Sequence, residues 1–247
     1  DEQITTSTFH ALGMSIVSSI TYPNRPDVDG KKVKRIIDLI IEEKEGVANQ
    51  RRNDLRELAG PIEKLVSMAK NRGFVPPAQV RDGLSNWDNV AAWIVMADQF
   101  DIGETLDESQ MDTAIAFART VLRKSTDDLS TIDFDDMVFL PLAKRVNLRS
   151  WHQFQWVLVD EAQDTNPTRR ALARMVLAPG GRFVAVGDKH QAIYGFTGAD
   201  NDSLEQIRDA FDAIELPLTV TYRCPKNVVT HAQQWVSHIE AHENNAD

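Results

Sequence analysis

The spacing of apolar residues changes once along this 247-residue chain, and the change divides it into a helical part and an α/β part. Over residues 31–145 apolar side chains recur every three or four positions, which is typical of helices with one buried face. We therefore predict a small helical domain with these stripes in its core. The stripes are Val33, Ile36, Ile37, Ile40 and Ile41; Trp87, Val90, Ala91 and Ile94; and Met111, Ala114, Ile115, Ala118 and Leu122.

The second part of the chain alternates short apolar runs with one amphipathic segment. Residues 156–159 (WVLV) and 183–186 (FVAV) have the length and composition of buried parallel strands. Between them, Asn166 and Pro167 provide an N-cap and a first helical residue, and the glycine pair at residues 180–181 is predicted to end that helix. The strand–helix–strand order implies parallel pairing through a right-handed crossover.

Composition excludes several classes of protein. With 42% hydrophobic and 26% charged residues, the chain resembles a globular protein rather than a collagen or a low-complexity sequence. Its single cysteine, Cys224, excludes an intrachain disulfide and any multi-cysteine metal site. No apolar run approaches the roughly 18 residues that a membrane helix needs, so no membrane partner is expected.

Charge is distributed unevenly along the sequence. The formal net charge of −10 argues against a nucleic-acid partner when it is taken alone. Residues 31–75, however, contain 11 Lys/Arg against 7 Asp/Glu, whereas residues 82–136 contain 3 against 13. Both segments are compatible with ordinary solvated faces, and the basic one is also compatible with a surface that contacts duplex DNA.

Acidic residues follow both predicted strands, at the edge where ligands of parallel sheets bind. Asp160 and Glu161 end the first strand, and Asp188 follows the second. An adjacent Asp–Glu pair suits magnesium-assisted phosphoryl chemistry, because one carboxylate holds the hard cation while the other orients or deprotonates a water molecule. Such a pair is also common at the start of a solvated loop, so further motifs decide between the two interpretations.

Four motifs occur in a fixed order along the chain: residues 8–13 (TFHALG), 160–164 (DEAQD), 187–200 (GDKHQAIYGFTGAD) and 221–224 (TYRC). In this order they closely resemble motifs Ib, II, III and IV of superfamily 1 DNA helicases of the UvrD/Rep type. Residues 133–137 (DFDDM) also resemble the acidic-aromatic stretch that precedes motif II in that family.

The resemblance implies an ATPase site. Asp160, together with Glu161, would lie at the Mg²⁺ that accompanies ATP, and Glu161 would be the general base for the hydrolytic water. Gln191 resembles the family's γ-phosphate sensor. Arg223 resembles the motif IV arginine, whose planar, permanently charged fork matches a phosphate.

The resemblance also implies a site for single-stranded DNA. Thr8, Phe9 and His10 match a motif that contacts the phosphates and sugars of the strand. Tyr194 and Phe196 alternate in a loop after a strand, where Phe196 is the better candidate for stacking on a base. For Tyr194, packing in the protein core is an equally good interpretation.

Two departures from the family pattern stand out. Thr197 occupies a position where the family usually has arginine, which would weaken the coupling between nucleotide and DNA sites. The sequence also contains no GxxxxGK[ST] phosphate-binding loop, and motifs of the second RecA-like domain are absent from it. We therefore expect an excised piece of a longer helicase that does not hydrolyse ATP by itself.

The expected fold is an incomplete parallel RecA-like sheet of the P-loop NTPase type with an inserted all-helical subdomain. Residues 1–24 and 146–247 would form the RecA-like core, and residues 25–145 the insert. The expected parent protein is cytoplasmic or nucleoid-associated, uses ATP and Mg²⁺, and moves 3′ to 5′ on single-stranded DNA to unwind single-strand/duplex junctions. The alternative is a non-catalytic single-stranded-DNA-binding or regulatory module of a helicase–nuclease assembly.

Overall fold

The computed structural model describes residues 4–43, 55–81, 83–148, 152–191 and 202–247. Two units make up the chain, Asp1–Ile207 and Arg208–Asp247. Within the described ranges, no helix combines the length and the apolar character that a membrane span requires.

Helices and short parallel strands alternate along the chain. The helices are α1 (Phe9–Thr21), α2 (Lys32–Glu43), α3 (Ala59–Asn71), α4 (Val90–Gln99), α5 (Glu108–Asp127), α6 (Phe134–Ala143), α7 (Pro167–Val176), α8 (Ser203–Phe211) and α9 (Lys226–Ala232). The strands are β1 (Asp27–Val28), β2 (Phe74–Val75), β3 (Ser85–Asn86), β4 (Thr131–Ile132), β5 (Phe154–Val159), β6 (Leu177–Ala185), β7 (Val220–Thr221) and β8 (Glu240–Ala241). They pair in parallel as β1 with β4, β2 with β3, β5 with β6, and β7 with β8. The predicted mixture of helices with a parallel sheet is thereby confirmed.

Two of the three predicted apolar stripes form the core of the helical part. Ile36 and Met111 pack against this core from partly buried positions. Helix α5 begins at a capping box in which Asp107 Oδ1 accepts a hydrogen bond from the backbone N–H of Gln110 at 2.9 Å. The fully buried members of the two stripes are Val33, Ile37, Ile40, Ile41, Ala114, Ile115, Ala118 and Leu122.

The stripe predicted for α4 is wrong. Val90 and Ile94 are 40% and 46% exposed, and the buried face of this helix carries Trp93, Met96 and Ala97 instead. Asn89 caps the helix, since its side chain accepts a hydrogen bond from the backbone N–H of Ala92, and this sets the helix to begin at Val90. The large indole of Trp93 then turns to the core, because burying it removes more apolar area from water than burying a valine would.

Two lysines are buried in the helical part, which corrects the picture of residues 31–75 as a uniformly solvated basic face. Lys32 and Lys70 are 1% and 0% exposed. Nζ of Lys32 lies 2.8 Å from Oδ2 of Asp136, and Nζ of Lys70 lies 2.8 Å from Oδ1 of the same carboxylate. Lys70 also pairs with Asp133 at 2.5 Å. These two lysines are therefore unavailable to any DNA that contacts this segment.

Strands β5 and β6 pair in parallel and are connected by α7, as predicted. The prediction that both strands are buried is wrong for one face among the described residues, since Trp156 and Leu158 are 54% and 71% exposed. Val157 pairs with Phe183 and Val159 with Ala185. Helix α7 has Asn166 as its N-cap and Pro167 as its first residue.

The glycine pair does not end α7, which corrects the prediction for residues 180–181. The helix ends at Val176, and both glycines lie within β6, where the register is irregular. Gly180 adopts a φ of 75°. A Cβ atom on Gly181 would lie 2.9 Å from the carbonyl oxygen of Ala178. The glycines therefore permit a bulge in the strand.

Candidate active site

The carboxyl ends of β5 and β6 meet at one edge of their sheet. Beyond the strands, the backbone N–H of Val186 donates to the carbonyl of Val159 at 2.9 Å, and the N–H of Ala162 donates to the carbonyl of Val186 at 2.9 Å. These bonds hold the loop after β5 against the loop after β6. The edge therefore brings Asp160 and Glu161 close to the segment that begins at Asp188.

The side chains of Asp160 and Glu161 are exposed at this edge. Oδ1 of Asp160 accepts a hydrogen bond from the backbone N–H of Glu161 at 3.0 Å. Glu161 adopts a left-handed backbone conformation, with φ of 49° and ψ of 45°. This conformation is unfavourable for a residue with a side chain and is found at functional turns, where the surrounding structure maintains it.

Gln163 connects the two strand ends. Its Nε2 donates to Oε2 of Glu161 at 2.8 Å, and its Oε1 accepts from the backbone N–H of Asp188 at 3.0 Å. The side chain is buried, at 3% exposure. A Cβ atom on Gly187 would lie 2.5 Å from Oε1 of Gln163, so the absence of a side chain at Gly187 leaves room for the amide.

Gln191 lies at the same edge, in the 3₁₀ turn Lys189–Gln191. Its side-chain Nε2 donates to Oδ2 of Asp188 at 2.9 Å, and its backbone N–H donates to the carbonyl of Asp188 at 2.9 Å. The structure thus brings together three of the residues that the motifs single out, namely Asp160, Glu161 and Gln191.

The carboxylates at this edge fit a hard divalent cation that keeps much of its water. Among the described residues, Oδ2 of Asp160 makes no hydrogen bond, so it is available as a ligand atom. Asp160 and Glu161 match the one or two carboxylates through which proteins commonly bind Mg²⁺, with water and substrate phosphates as the remaining ligands. Groups of three or more His, Cys, Asp or Glu side chains placed to bind a metal do not occur in these same ranges.

The three motif residues at the start of α1 lie in different environments. Thr8 is exposed and caps α1, because its Oγ1 accepts from the backbone N–H of Ala11 at 3.2 Å. Phe9 is partly buried and packs against a small apolar cluster that includes Ile16 and Leu172. His10 is partly exposed. Thr8 is therefore accessible to a ligand, and Phe9 and His10 are accessible in part, although Phe9 also contributes to packing.

A polar cluster that the motif analysis missed lies beside His10. Burial and then the positive charge of Arg169 lower the pKa of His10, and Asp135 opposes this shift only in part. Asp135 accepts hydrogen bonds from Oγ of Ser67 at 2.6 Å and from Nδ2 of Asn71 at 3.0 Å. Charge interactions and hydrogen bonds therefore link α1, α3, α6 and α7.

Arg169 also contacts the loop after β5. Its Nη1 donates to the carbonyl of Asp164 at 3.1 Å. Burial and then the negative charge of Glu161 raise the pKa of Asp164, against the opposing charge of Arg169. The signal that could have indicated Arg169 is its place in the first turn of α7, directly after the motif, where its side chain reaches back to the loop.

Four further residues from the motifs are described separately from this edge. Tyr194, Phe196 and Thr197 lie outside the described residues. Arg223 is an exposed residue of the unit Arg208–Asp247. Within that unit, the backbone N–H groups of Arg223 and Cys224 each donate to Oγ1 of Thr221 at 3.3 Å.

Comparison with known proteins identifies relatives of this chain. A probable DNA helicase II homolog of Mycoplasma pneumoniae is 33% identical over 144 residues, which are 55% of this chain and 20% of the relative. The ATP-dependent DNA helicase Rep of Buchnera aphidicola subsp. Baizongia pistaciae is 26% identical over 208 residues, which are 82% of this chain and 27% of the relative. The ATP-dependent DNA helicase Rep of Escherichia coli K12 is 28% identical over 160 residues, which are 62% and 23% of the two proteins.

The chain therefore spans less than a third of the length of these curated relatives. Its residues 2–212 match the family model of the UvrD/REP helicase N-terminal domain. This match covers most of the chain and includes the sheet edge at Asp160 and Glu161. The chain belongs to the UvrD/Rep helicase N-terminal domain family.

Proposed function

We propose that this chain is the ATPase-side part of an ATP-dependent DNA helicase or translocase, which couples Mg-ATP hydrolysis to 3′–5′ movement on single-stranded DNA and to duplex unwinding. The observation that carries the proposal is the sheet edge where Asp160, Glu161 and Gln191 converge. Relatives named ATP-dependent DNA helicases support the same reaction.

The residues at the edge divide the chemistry between them. Asp160, with Glu161 beside it, would hold Mg²⁺, which when bound polarises the phosphoryl oxygens and offsets their charge. Glu161 would orient the attacking water and take its proton. The side-chain amide of Gln191 would contact the γ-phosphate and the attacking water. In the structure described above, Nε2 of Gln191 donates to Oδ2 of Asp188 at 2.9 Å.

The remaining parts of the reaction would come from elsewhere in the protein. Arg223 would offer its planar guanidinium to the γ-phosphate, whose oxygens match the geometry of its N–H donors. Thr8, Phe9 and His10 would contact the phosphates and sugars of the DNA strand. Phe196, and alternatively Tyr194, would stack on unpaired bases. These contacts read no sequence, so binding would be non-specific and sensitive to salt.

We further propose that residues 1–24 and 146–247 belong to a RecA-like core and that residues 25–145 form its helical insert. In support, the sheet of β5 and β6 has an apolar face that the described residues leave open. Trp156 and Leu158 on this face are 54% and 71% exposed, and Val186 is 50% exposed. In a RecA-like core such a face would be covered by helices, because parallel sheets are normally covered by helices on both faces.

The test measures ATP turnover by the full-length protein that carries this chain, with and without single-stranded DNA. We expect stimulation by DNA, and we expect Glu161→Gln to lower kcat by about 10²- to 10⁴-fold, since a general base contributes about that much. Glu63→Gln is the matched control, because Glu63 is an exposed glutamate of α3. The 247-residue chain alone, whose sequence contains no GxxxxGK[ST], is expected to bind DNA without turnover.

The outcomes separate the two candidate functions. Full-length protein that binds single-stranded DNA without hydrolysing ATP would favour the non-catalytic module. ATP turnover by the isolated chain would show that the missing loop is dispensable. Full activity of the Glu161→Gln protein would remove Glu161 from the role of general base.

A further inference from the structure

We propose that Gln163 is a positioning residue, which holds the carboxylate of Glu161 in place and connects it to the strand end that carries Asp188 and Gln191. This inference rests on the proposed function, because it assigns a task at the same site. Gln163 touches neither nucleotide nor metal in this assignment. It acts through Glu161.

The orientation of the Gln163 amide follows from the chemistry of its two neighbours. A backbone N–H can only donate a hydrogen bond, and an ionised carboxylate can only accept one. Oε1 must therefore face the N–H of Asp188, at 3.0 Å, and Nε2 must face Oε2 of Glu161, at 2.8 Å. A flipped amide would place two donors or two acceptors against each other. Both ends of this side chain are thus used, and neither can be exchanged for the other.

The backbone around Gln163 is fixed on both sides. Gln163 lies in the 3₁₀ turn Ala162–Asp164, whose first residue donates its N–H to the carbonyl of Val186 at 2.9 Å. Oγ1 of Thr165 donates to the carbonyl of Ala162 at 2.7 Å and closes the turn. With its main chain held in this way and its side chain 3% exposed, Gln163 has little freedom to move independently of Glu161.

The hydrogen bond from Gln163 limits the rotamers that the exposed side chain of Glu161 can adopt. Glu161 is exposed and has three side-chain torsions, so a carboxylate without a partner would sample several rotamers. Anchoring Oε2 leaves Oε1 as the oxygen directed to water. Because Asp188 also accepts from Nε2 of Gln191, a displacement of the Gln191 turn would reach Glu161 through the Gln163 amide.

Two substitutions remove this anchor from opposite sides. Gln163→Met keeps the length of the side chain and removes both hydrogen bonds. Gly187→Ala keeps Gln163 but places a methyl group 2.5 Å from the present position of Oε1, so the amide must shift. Thr113→Val is the matched control, because it also removes a hydrogen bond from a threonine hydroxyl to a backbone carbonyl, in an exposed position of α5 outside the site.

The first measurement is ATP turnover by the full-length variants. We expect Gln163→Met and Gly187→Ala each to lower kcat by about ten- to a hundredfold with KM for ATP within about twofold, because a misplaced base slows the chemical step more than binding. Thr113→Val should keep kcat within about threefold, because it is an exposed substitution outside the site. Equal losses in all three variants would mean that the losses do not depend on the Gln163 anchor, and would overturn the proposal. So would a normal kcat in Gln163→Met.

The second measurement needs no activity and uses the 247-residue chain itself. In ¹⁵N–¹H spectra we expect the side-chain NH₂ of Gln163 to exchange with solvent more slowly than that of Gln153, an exposed glutamine. Glu161→Ala should shift the Gln163 resonances, whereas Glu63→Ala should not. Exchange as fast as that of Gln153 would overturn the proposal even in an active helicase. Slow exchange in a protein without ATPase activity would instead show that the proposed function has failed while the contact is real.

Discussion

The acidic pair at the start of α6 and the acidic pair after β5 have opposite surroundings. Asp133 and Asp136 begin α6 and are 6% and 0% exposed. Each accepts the backbone N–H of the other in a capping box, and both pair with buried lysines. Asp160 and Glu161, in contrast, are exposed and have no lysine or arginine partner at salt-bridge distance among the described residues.

The buried charges of Asp133 and Asp136 stabilise the fold, whereas the exposed charges of Asp160 and Glu161 are accessible to a ligand. Burial penalises the charge on Lys70, but the attraction of Asp136 and Asp133 outweighs it and raises the Lys70 pKa. In the same cluster, burial raises the pKa of Asp133, and Asp136 adds to this shift against the pull of Lys70. Every charge there already has its partner. The exposed pair keeps carboxylate oxygens available for a cation and for water.

The largest expected effect comes from breaking the buried pair. Asp136→Ala leaves Lys32 without its carboxylate and Lys70 with only Asp133. We expect a loss of about 3–5 kcal/mol in the free energy of unfolding, since removal of one partner leaves a buried charge uncompensated. Urea denaturation of the 247-residue chain, followed by circular dichroism, measures this loss.

Asp112→Ala is the control for that measurement, because Asp112 is an exposed residue of α5. It should change stability by no more than about 0.5 kcal/mol. If Asp136→Ala costs under about 1 kcal/mol, as an exposed ion pair would, the distinction between the two pairs is lost. Asp136→Asn keeps an oxygen facing the two lysines, so it should lose less stability than Asp136→Ala. If the alanine variant does not fold, the loss measured for Asp136→Asn is compared with that of Asp112→Ala instead.

A smaller effect, of opposite sign, is expected at the exposed pair. Glu161 is held at a φ of 49°, where glycine is more favourable. Glu161→Gly should therefore raise the stability of the chain by up to about 1 kcal/mol, and at the same time remove the proposed base from the full-length enzyme. Asp101 also has a φ of 49° and is exposed. Asp101→Gly should give a similar gain in stability with ATP turnover intact.

A loss of stability in Glu161→Gly alone would show that the bond from Gln163 contributes more than the backbone conformation costs. The exposed pair would then, like the buried pair, stabilise the fold. Equal gains in both glycine variants would support a base that is kept in an unfavourable conformation for its function.

Local signals account for what the sequence predicted correctly. The cap at Asn166, the proline at residue 167 and the apolar runs on either side each act within a few residues, so the order strand, helix, strand could be recognised before the structure. The edge with Asp160 and Glu161 followed from that order alone. The motif resemblance then added Gln191, which lies at the same edge.

Long-range partners account for what the sequence could not predict. Lys32 and Asp136 are 104 residues apart, and no periodicity relates them. Both looked like solvated charges because burial of a charge depends on its partner rather than on its neighbours in sequence. Gln163 lacked a signal for a similar reason, since its two hydrogen bonds depend on how the strand ends meet. In α4 the face with Trp93 became buried, whereas the apolar spacing alone selected the face with Val90 and Ile94.

The smallest expected effect comes from another acidic residue, Asp128, whose carbonyl oxygen accepts a hydrogen bond from Lys32 at 2.9 Å. Burial alone would raise the pKa of its carboxyl, but hydrogen bonds from Ser130 and Thr131, together with the charge of Lys32, lower it. The carboxylate therefore stabilises the fold above about pH 4, and this contribution is lost as the pH falls through the lowered folded-state value.

Asp128→Asn should consequently be less stable than the wild-type chain at pH 7, and the difference should shrink as the solution is acidified. Urea midpoints of both chains at pH 7 and in steps below pH 5 measure this change. Asp112→Asn is the matched control, because the exposed Asp112 carboxylate makes no hydrogen bond among the described residues. A constant difference between the Asp128→Asn and wild-type chains at every pH would contradict the assignment. Asp128 would then stabilise the fold through the conformation of its turn, and its negative charge near Lys32 would not contribute.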